Sequence, residues 1–192
     1  FDKPLLVQYM NQMEMIFTGN FGKSFRFKTE AMPLIIERLP ATIELALFSI
    51  LVALIIAIPA GCLSAIYQNS ILDLFVTIFS TIGRAMPNFW IGIMLIFFFS
   101  VVFRILPVSG RLEATSIILP AITLGTSIAT TMARILRSSM IEVIRKEYIV
   151  TAKSKGLSKF KIIRSHILRN SLIAVTTVFG LQFAWILGGS VI

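Results

Sequence analysis

Apolar positions along this chain come in long blocks, not in short alternating runs. Between Ala41 and Ala60 only Thr42, Glu44, Ser49 and Pro59 break the apolar character. About 20 helical residues cover about 30 Å, the thickness of a bilayer's hydrocarbon core. A first span is therefore predicted over about 41–62. Glu44 lies in its first turn, where the helix dipole and the nearby interface lower the cost of a carboxylate. A second apolar run, from Ile71 to Phe103, is interrupted by Arg84-Ala85-Met86-Pro87-Asn88. Two readings stay open for it. Either a half-helix or interfacial segment over Leu72 to Gly83 feeds a span from Met86 to Phe103, or residues 72–103 form one long helix kinked near 84–88. A weaker span rich in Thr, Ser, Gly and Ala is predicted over 116–133, and a last one over 172–192 containing Gln182 and Gly188-Gly189. These four spans predict an all-α fold class, a polytopic transmembrane helical bundle.

Residues 1–40 are too mixed to span and read as an external segment. Gly19-Asn20-Phe21-Gly22-Lys23-Ser24 is a turn, and Pro33 opens a short segment, Leu34 to Leu39, that ends before Pro40. Composition agrees with the spans: of 192 residues 56% are hydrophobic and 14% charged, with a mean hydropathy of +0.88, unlike a water-soluble globule. The net charge of +9 matters through its distribution. Ten of the 18 Lys and Arg residues lie between Arg134 and Arg169, opposed only by Glu142 and Glu147. The positive-inside rule places a loop over 134–171 in the cytoplasm. Strict alternation then puts 1–40 and 104–115 outside and 63–70 inside.

Within that loop, Glu147 to Lys155 can form a short helix with Tyr148 and Ala152 on one face, ended by Gly156 in a left-handed conformation. From Leu157 onward, Leu157, Phe160, Ile163 and Ile167 recur at helical spacing, so this part can lie against the membrane or the bundle. Arg84 reads as the one strong charge within a long apolar run, where mid-bilayer placement would cost about 2.5–3.5 kcal/mol. It is either a pathway residue beside the Pro87 break or a side chain snorkelling to the interface. Gln182 and the Thr123, Thr126, Ser127, Thr130 and Thr131 set can line a polar path or hydrogen-bond between helices. The single Cys62 excludes an internal disulfide, and the single His166 excludes a His-rich metal site. No Gly-rich phosphate loop, Ser-His-Asp order or metal-ligand cluster is present in the sequence, so the chain does not read as an enzyme.

Glu147-Tyr148-Ile149-Val150-Thr151-Ala152-Lys153-Ser154-Lys155-Gly156-Leu157, followed by His166-Ile167-Leu168-Arg169-Asn170, resembles the signature loop of ABC importer permeases, in the dipeptide, oligopeptide and nickel branch. Gly156 sets the register. Ala152 matches the second Ala of the family's Glu-Ala-Ala triplet, Val150 replaces the Glu, and Thr151 the first Ala. The resemblance extends in order through Gly22 to Phe25, Glu37 to Thr42, Pro87 to Gly92, Leu106 to Gly110 and Gly180 to Gln182, with Ala174 where a Pro is common.

The resemblance implies a transport subunit whose spans, with those of a second, homologous permease, enclose a path for peptides or for nickel or other metal complexes. It implies coupling to two cytoplasmic ATPase subunits through Glu147, Tyr148, Thr151, Ala152, Lys155, Gly156 and Leu157, with Arg84, Pro87 and Gln182 as candidate pathway residues. An external substrate-binding protein would deliver the cargo. ATP and Mg would bind the ATPases, and no cofactor, metal or nucleic acid is expected on this chain. A bacterial or archaeal inner membrane is implied. The family also has a span before residue 1 and another beyond residue 192, so the chain reads as a piece of a longer protein. Two rival classes are weaker. A self-contained transporter would need mid-membrane carboxylates or an internal repeat, and a membrane-anchored nucleic-acid binder would lose affinity steeply with salt.

Overall fold

The computed structural model describes residues 4–111 and 113–188. The expected Gly189 and the end of the last span lie outside the described residues. The chain divides into two compact units, Phe1–Glu44 and Leu45–Ile192.

In the first unit, α1 (Leu5–Phe17) starts after Pro4. It ends where the Thr18 hydroxyl donates to the Glu14 carbonyl at 2.9 Å and Gly19 turns to φ +75°. Gly22, at φ +72°, donates its N–H to the Asn20 side chain at 3.0 Å. That makes the turn the sequence predicts, and an isolated antiparallel bridge, Lys23 to Glu30, closes the loop beyond it. α2 then runs without a break over Ala31–Ile66, 36 residues. The predicted short segment at 34–39 and the span at 41–62 are one helix. Pro33 falls in the first turn, where a missing N–H costs nothing, while Pro40 and Pro59 are carried inside at the loss of one backbone bond each.

In the second unit α5 (Ile118–Ile144) is the hub, packing against α3, α4 and α8. It also meets α2 along small residues. A Cβ on Gly125 would stand 2.7 Å from the Ser49 carbonyl oxygen and 2.7 Å from Val52 Cβ, and one on Gly61 would stand 2.8 Å from the Ala133 carbonyl oxygen. Both numbers rise together along the two helices, so they run parallel. Buried Ala46, Ala53 and Ala57 share this face of α2, and their size lets the backbones approach.

α3 (Ile71–Ala85) and α4 (Asn88–Ile96) meet at 98° across Met86 and Pro87. The residue before a proline is driven to extended backbone, and Met86 has φ −77° and ψ 129°. The apolar run 71–103 is thus two helices and not one gently kinked rod. α4 continues into a π-helical turn, Phe97–Val102, and Arg104 at φ +54° ends it.

The basic loop proves to be mostly helix. α5 continues eleven residues past 133, α6 covers Glu147–Ser154, and a second run covers Lys159–Leu187: α7 (Lys159–Ile162), a π-helical turn Ile163–Leu168 and α8 (Arg169–Leu187). The last apolar helix therefore begins well before the predicted residue 172. Of the predicted apolar positions, Ile167 is buried and Leu157 and Ile163 pack against the core, while Phe160 is 71% exposed; Ile162, Ser171 and Val175 are buried on the same helical run. Three helices are long and apolar enough to cross a membrane, Ala31–Ile66, Ala114–Ile144 and Lys159–Leu187, and the bent pair would make a fourth. Among the described residues there is no β-strand, so the fold is all-α.

Candidate functional site: a short polar helix and a buried ion pair

α6 stands between two turns of a few residues each. At its start Lys146 is extended (ψ 146°). Its ammonium lies 2.9 Å from the Glu142 carboxylate, whose hydrogen bond and charge raise the Lys146 pKa. At its end Gly156 takes φ +74°. Gly156 N–H donates to the Lys153 carbonyl at 3.0 Å, and Leu157 N–H donates to the Ala152 carbonyl at 3.4 Å. These are the two bonds of a Schellman cap, with Leu157 and Ala152 as its apolar pair.

The helix has a fixed inner side. Ile149 is fully buried and Ala152 is 6% exposed, both within the hydrophobic core, with Leu157 half-buried beside it. Ala152 therefore faces its own bundle and not a partner, a correction to the expected face shared with Tyr148. Glu147, Tyr148, Val150, Thr151, Lys153 and Lys155 are exposed. Tyr148 is braced by Asn170, whose side-chain amide donates to the phenol oxygen at 2.9 Å. α6 is thus clamped on one side and open on the other.

Asp73, outside the motifs singled out in the sequence, is the one buried charged side chain among the described residues. Its carboxylate accepts four hydrogen bonds. Arg137 gives two in a fork, Nε to Oδ1 and Nη2 to Oδ2, each at 2.7 Å. Asn69 N–H gives one at 2.9 Å, and the Ser64 hydroxyl the fourth. All four lone-pair positions are used. Ser70 caps α3, its hydroxyl oxygen accepting from the Asp73 N–H at 3.4 Å. The cluster ties the end of α2, the 67–70 turn, the start of α3 and α5 together, ten residues before α6 begins. The signal in sequence was Ser70-x-x-Asp73, a helix-start pattern inside an apolar run.

The candidate pathway residues are not gathered together. Arg84 is exposed in the last turn of α3, where a cation suits the helix dipole. Pro87 is exposed at the head of α4, and Gln182 is half-buried in α8. None of the three lines the cavity of about 300 Å³ between α2, α3, α4 and α5, which is bounded by Phe75, Ser80, Gly83, Thr126 and Thr130 among others. Of the set read as lining a polar path or bonding between helices, Thr126 and Thr130 line this cavity, and three threonine hydroxyls bond within their own helix. Thr123 donates to the Leu119 carbonyl, Thr126 to Ile122 and Thr130 to Ser127, at 2.7–2.8 Å.

Residues 57–192 match the family model described as binding-protein-dependent transport system inner membrane component. The chain is 37% identical, over its whole length, to the di/tripeptide transport system permease protein DppB of Pseudomonas aeruginosa, of which it covers 65%. It is 38% identical to the oligopeptide transport system permease protein AppB of Bacillus subtilis, with 98% of this chain and 63% of that one aligned. It is 33% identical to the dipeptide transport system permease protein DppB of Escherichia coli K12, with 100% and 66% aligned. The chain thus spans just under two thirds of the length of these relatives.

Proposed function

The chain belongs to the family of binding-protein-dependent transport system inner membrane components, and from that premise we propose that it is the membrane-spanning part of a permease subunit that imports peptides at the expense of ATP. Peptides, not nickel or metal complexes, are the cargo the relatives' names carry. A second, homologous permease completes the path, an external binding protein delivers the cargo, and two ATPase subunits bind ATP and Mg. The membrane is that of a bacterium or archaeon and the chain crosses it several times.

The single observation that carries the coupling role is α6. It is too polar to stay in the bilayer, with Lys153, Lys155 and Glu147 on its surface. It is locked to the bundle through Ile149 and Ala152, and its other side, Tyr148, Val150 and Thr151, is left exposed. A rigid helix with one face fixed and one face free can pass a push from a soluble ATPase to the bundle without bending. α5 carries that push upward, since α6 follows it after two residues.

Uptake of a radiolabelled tripeptide into proteoliposomes holding the full permease, its partner permease, the two ATPases and the binding protein tests the reading. ATP-dependent accumulation is expected. Accumulation that is absent with every peptide, while a metal complex is taken up, would overturn the assigned cargo.

A further inference from the structure

α3 carries a polar stripe, Asp73, Thr77, Ser80, Thr81 and Arg84, at steps of three and four residues, which is one helix face. α5 answers it with Arg137, Arg134 and Thr130 at the same spacing. Between them lies a second cavity of about 290 Å³, lined by Thr77, Ser80, Thr81, Arg134 and Arg137 with two apolar neighbours. It adjoins the apolar chamber of about 300 Å³, the two sharing Val76, Ser80 and Ala133.

The two arginines are not equivalent. Asp73 holds Arg137 in its fork and neutralises it. The guanidinium of Arg134, exposed one turn away, has no carboxylate or hydrogen-bond partner among the described residues. The groove therefore ends in one uncompensated planar cation. Thr81, lining the groove, and Thr130, lining the adjoining chamber, give their hydroxyl protons to the Thr77 and Ser127 carbonyls, at 2.8 and 2.7 Å, so toward a ligand those two oxygens can only accept. The groove thus offers one fork for an anion, acceptors for N–H groups beside it, and an apolar chamber beyond.

We propose that Arg134 is the subsite for the terminal carboxylate of a linear peptide passing between α3 and α5. The guanidinium takes the carboxylate in two parallel hydrogen bonds. Amide N–H groups of the peptide meet the threonine oxygens, and a side chain enters the apolar chamber. A lipid phosphate is matched less well, because its oxygens need several donors and the threonines beside the arginine supply acceptors. The subsite rests on the importer reading above.

The test uses the complete transporter in proteoliposomes, with the tripeptide Ala-photoleucine-Ala as probe. Light should crosslink the probe to segments 76–83 or 126–134 during turnover, located by mass spectrometry. Arg134→Gln should remove that crosslink and lower uptake per ATP hydrolysed at least tenfold, and Arg134→Lys should restore part of both. An Arg134→Gln transporter whose uptake per ATP stays within twofold, or whose crosslink persists, overturns the subsite while leaving the importer intact. The same assay in vesicles of phosphatidylcholine, with and without phosphatidylglycerol, separates the lipid alternative. Should phosphatidylglycerol displace the crosslink in proportion to its content, Arg134 holds a headgroup and the proposal fails. If the unmodified transporter accumulates no peptide at all, the importer reading itself falls, and the subsite with it.

Discussion

At Gly156 the conformational demand is separable from packing, since φ is +74° and a Cβ there would meet nothing within 4 Å. Gly156→Val should therefore cost about 1–3 kcal/mol through backbone strain alone. Thermal unfolding of the purified protein in detergent checks this, and an unchanged midpoint would show that the cap is not held. Gly125 makes the opposite case, being crowded at ordinary helical φ. Gly125→Ala should force α2 and α5 apart and lower the midpoint. Gly180→Ala, in open space in α8, should leave it level or raise it through helix propensity, by about 0.5–1 kcal/mol. For the buried ion pair, Asp73→Asn strands a guanidinium that is only partly exposed. The pair should show a coupling energy of roughly 1–3 kcal/mol in a double-mutant cycle with Arg137→Gln. A coupling near zero would mean that the four hydrogen bonds do not fasten α3 to α5.

At the scale of elements, what could be read from sequence followed from how far each signal reached. Long apolar blocks announced α2, the 71–103 pair and α5, because twenty apolar residues have few soluble alternatives. Glu147 and Gly156 announced the ends of α6, because a left-handed stop leaves a residue type behind. Which side of α6 faces inward was not readable. Tyr148, Ile149 and Ala152 all suit a buried side, and only the approach of the 159–187 helix decides among them. The π turn at Ile163–Leu168 has no sequence marker of its own, although Leu157, Ile163 and Ile167 of the predicted apolar face do meet the core. Asp73 escaped notice because its partner, Arg137, is 64 residues away. These placements change the expected mutants. Ala152→Glu would drive a carboxylate into the core and should lower the amount of folded protein. Val150→Glu, at a position 58% exposed, should leave that amount unchanged while reducing co-purification of the ATPase. Equal behaviour of the two variants would contradict the two-sided helix.

For the whole molecule, topology and coupling stand together. In the proposed topology, which follows the positive-inside rule for the basic cluster, α6 lies on the cytoplasmic side and Ser109 on the other. With Cys62 replaced by Ala, a cysteine at Ser154 should resist an impermeant maleimide in intact cells, and one at Ser109 should react. Both residues are exposed, so burial does not confound the result. If α6 is the surface on which a separate ATPase pushes, a photoreactive amino acid at Val150 in the working transporter reports that contact itself. A crosslink to an ATPase subunit is expected, with a yield that changes when ATP is added, and none from a matching probe at Ser109. A transporter that accumulates peptide normally yet gives no ATPase crosslink from position 150, or gives it from position 109 instead, would contradict that contact.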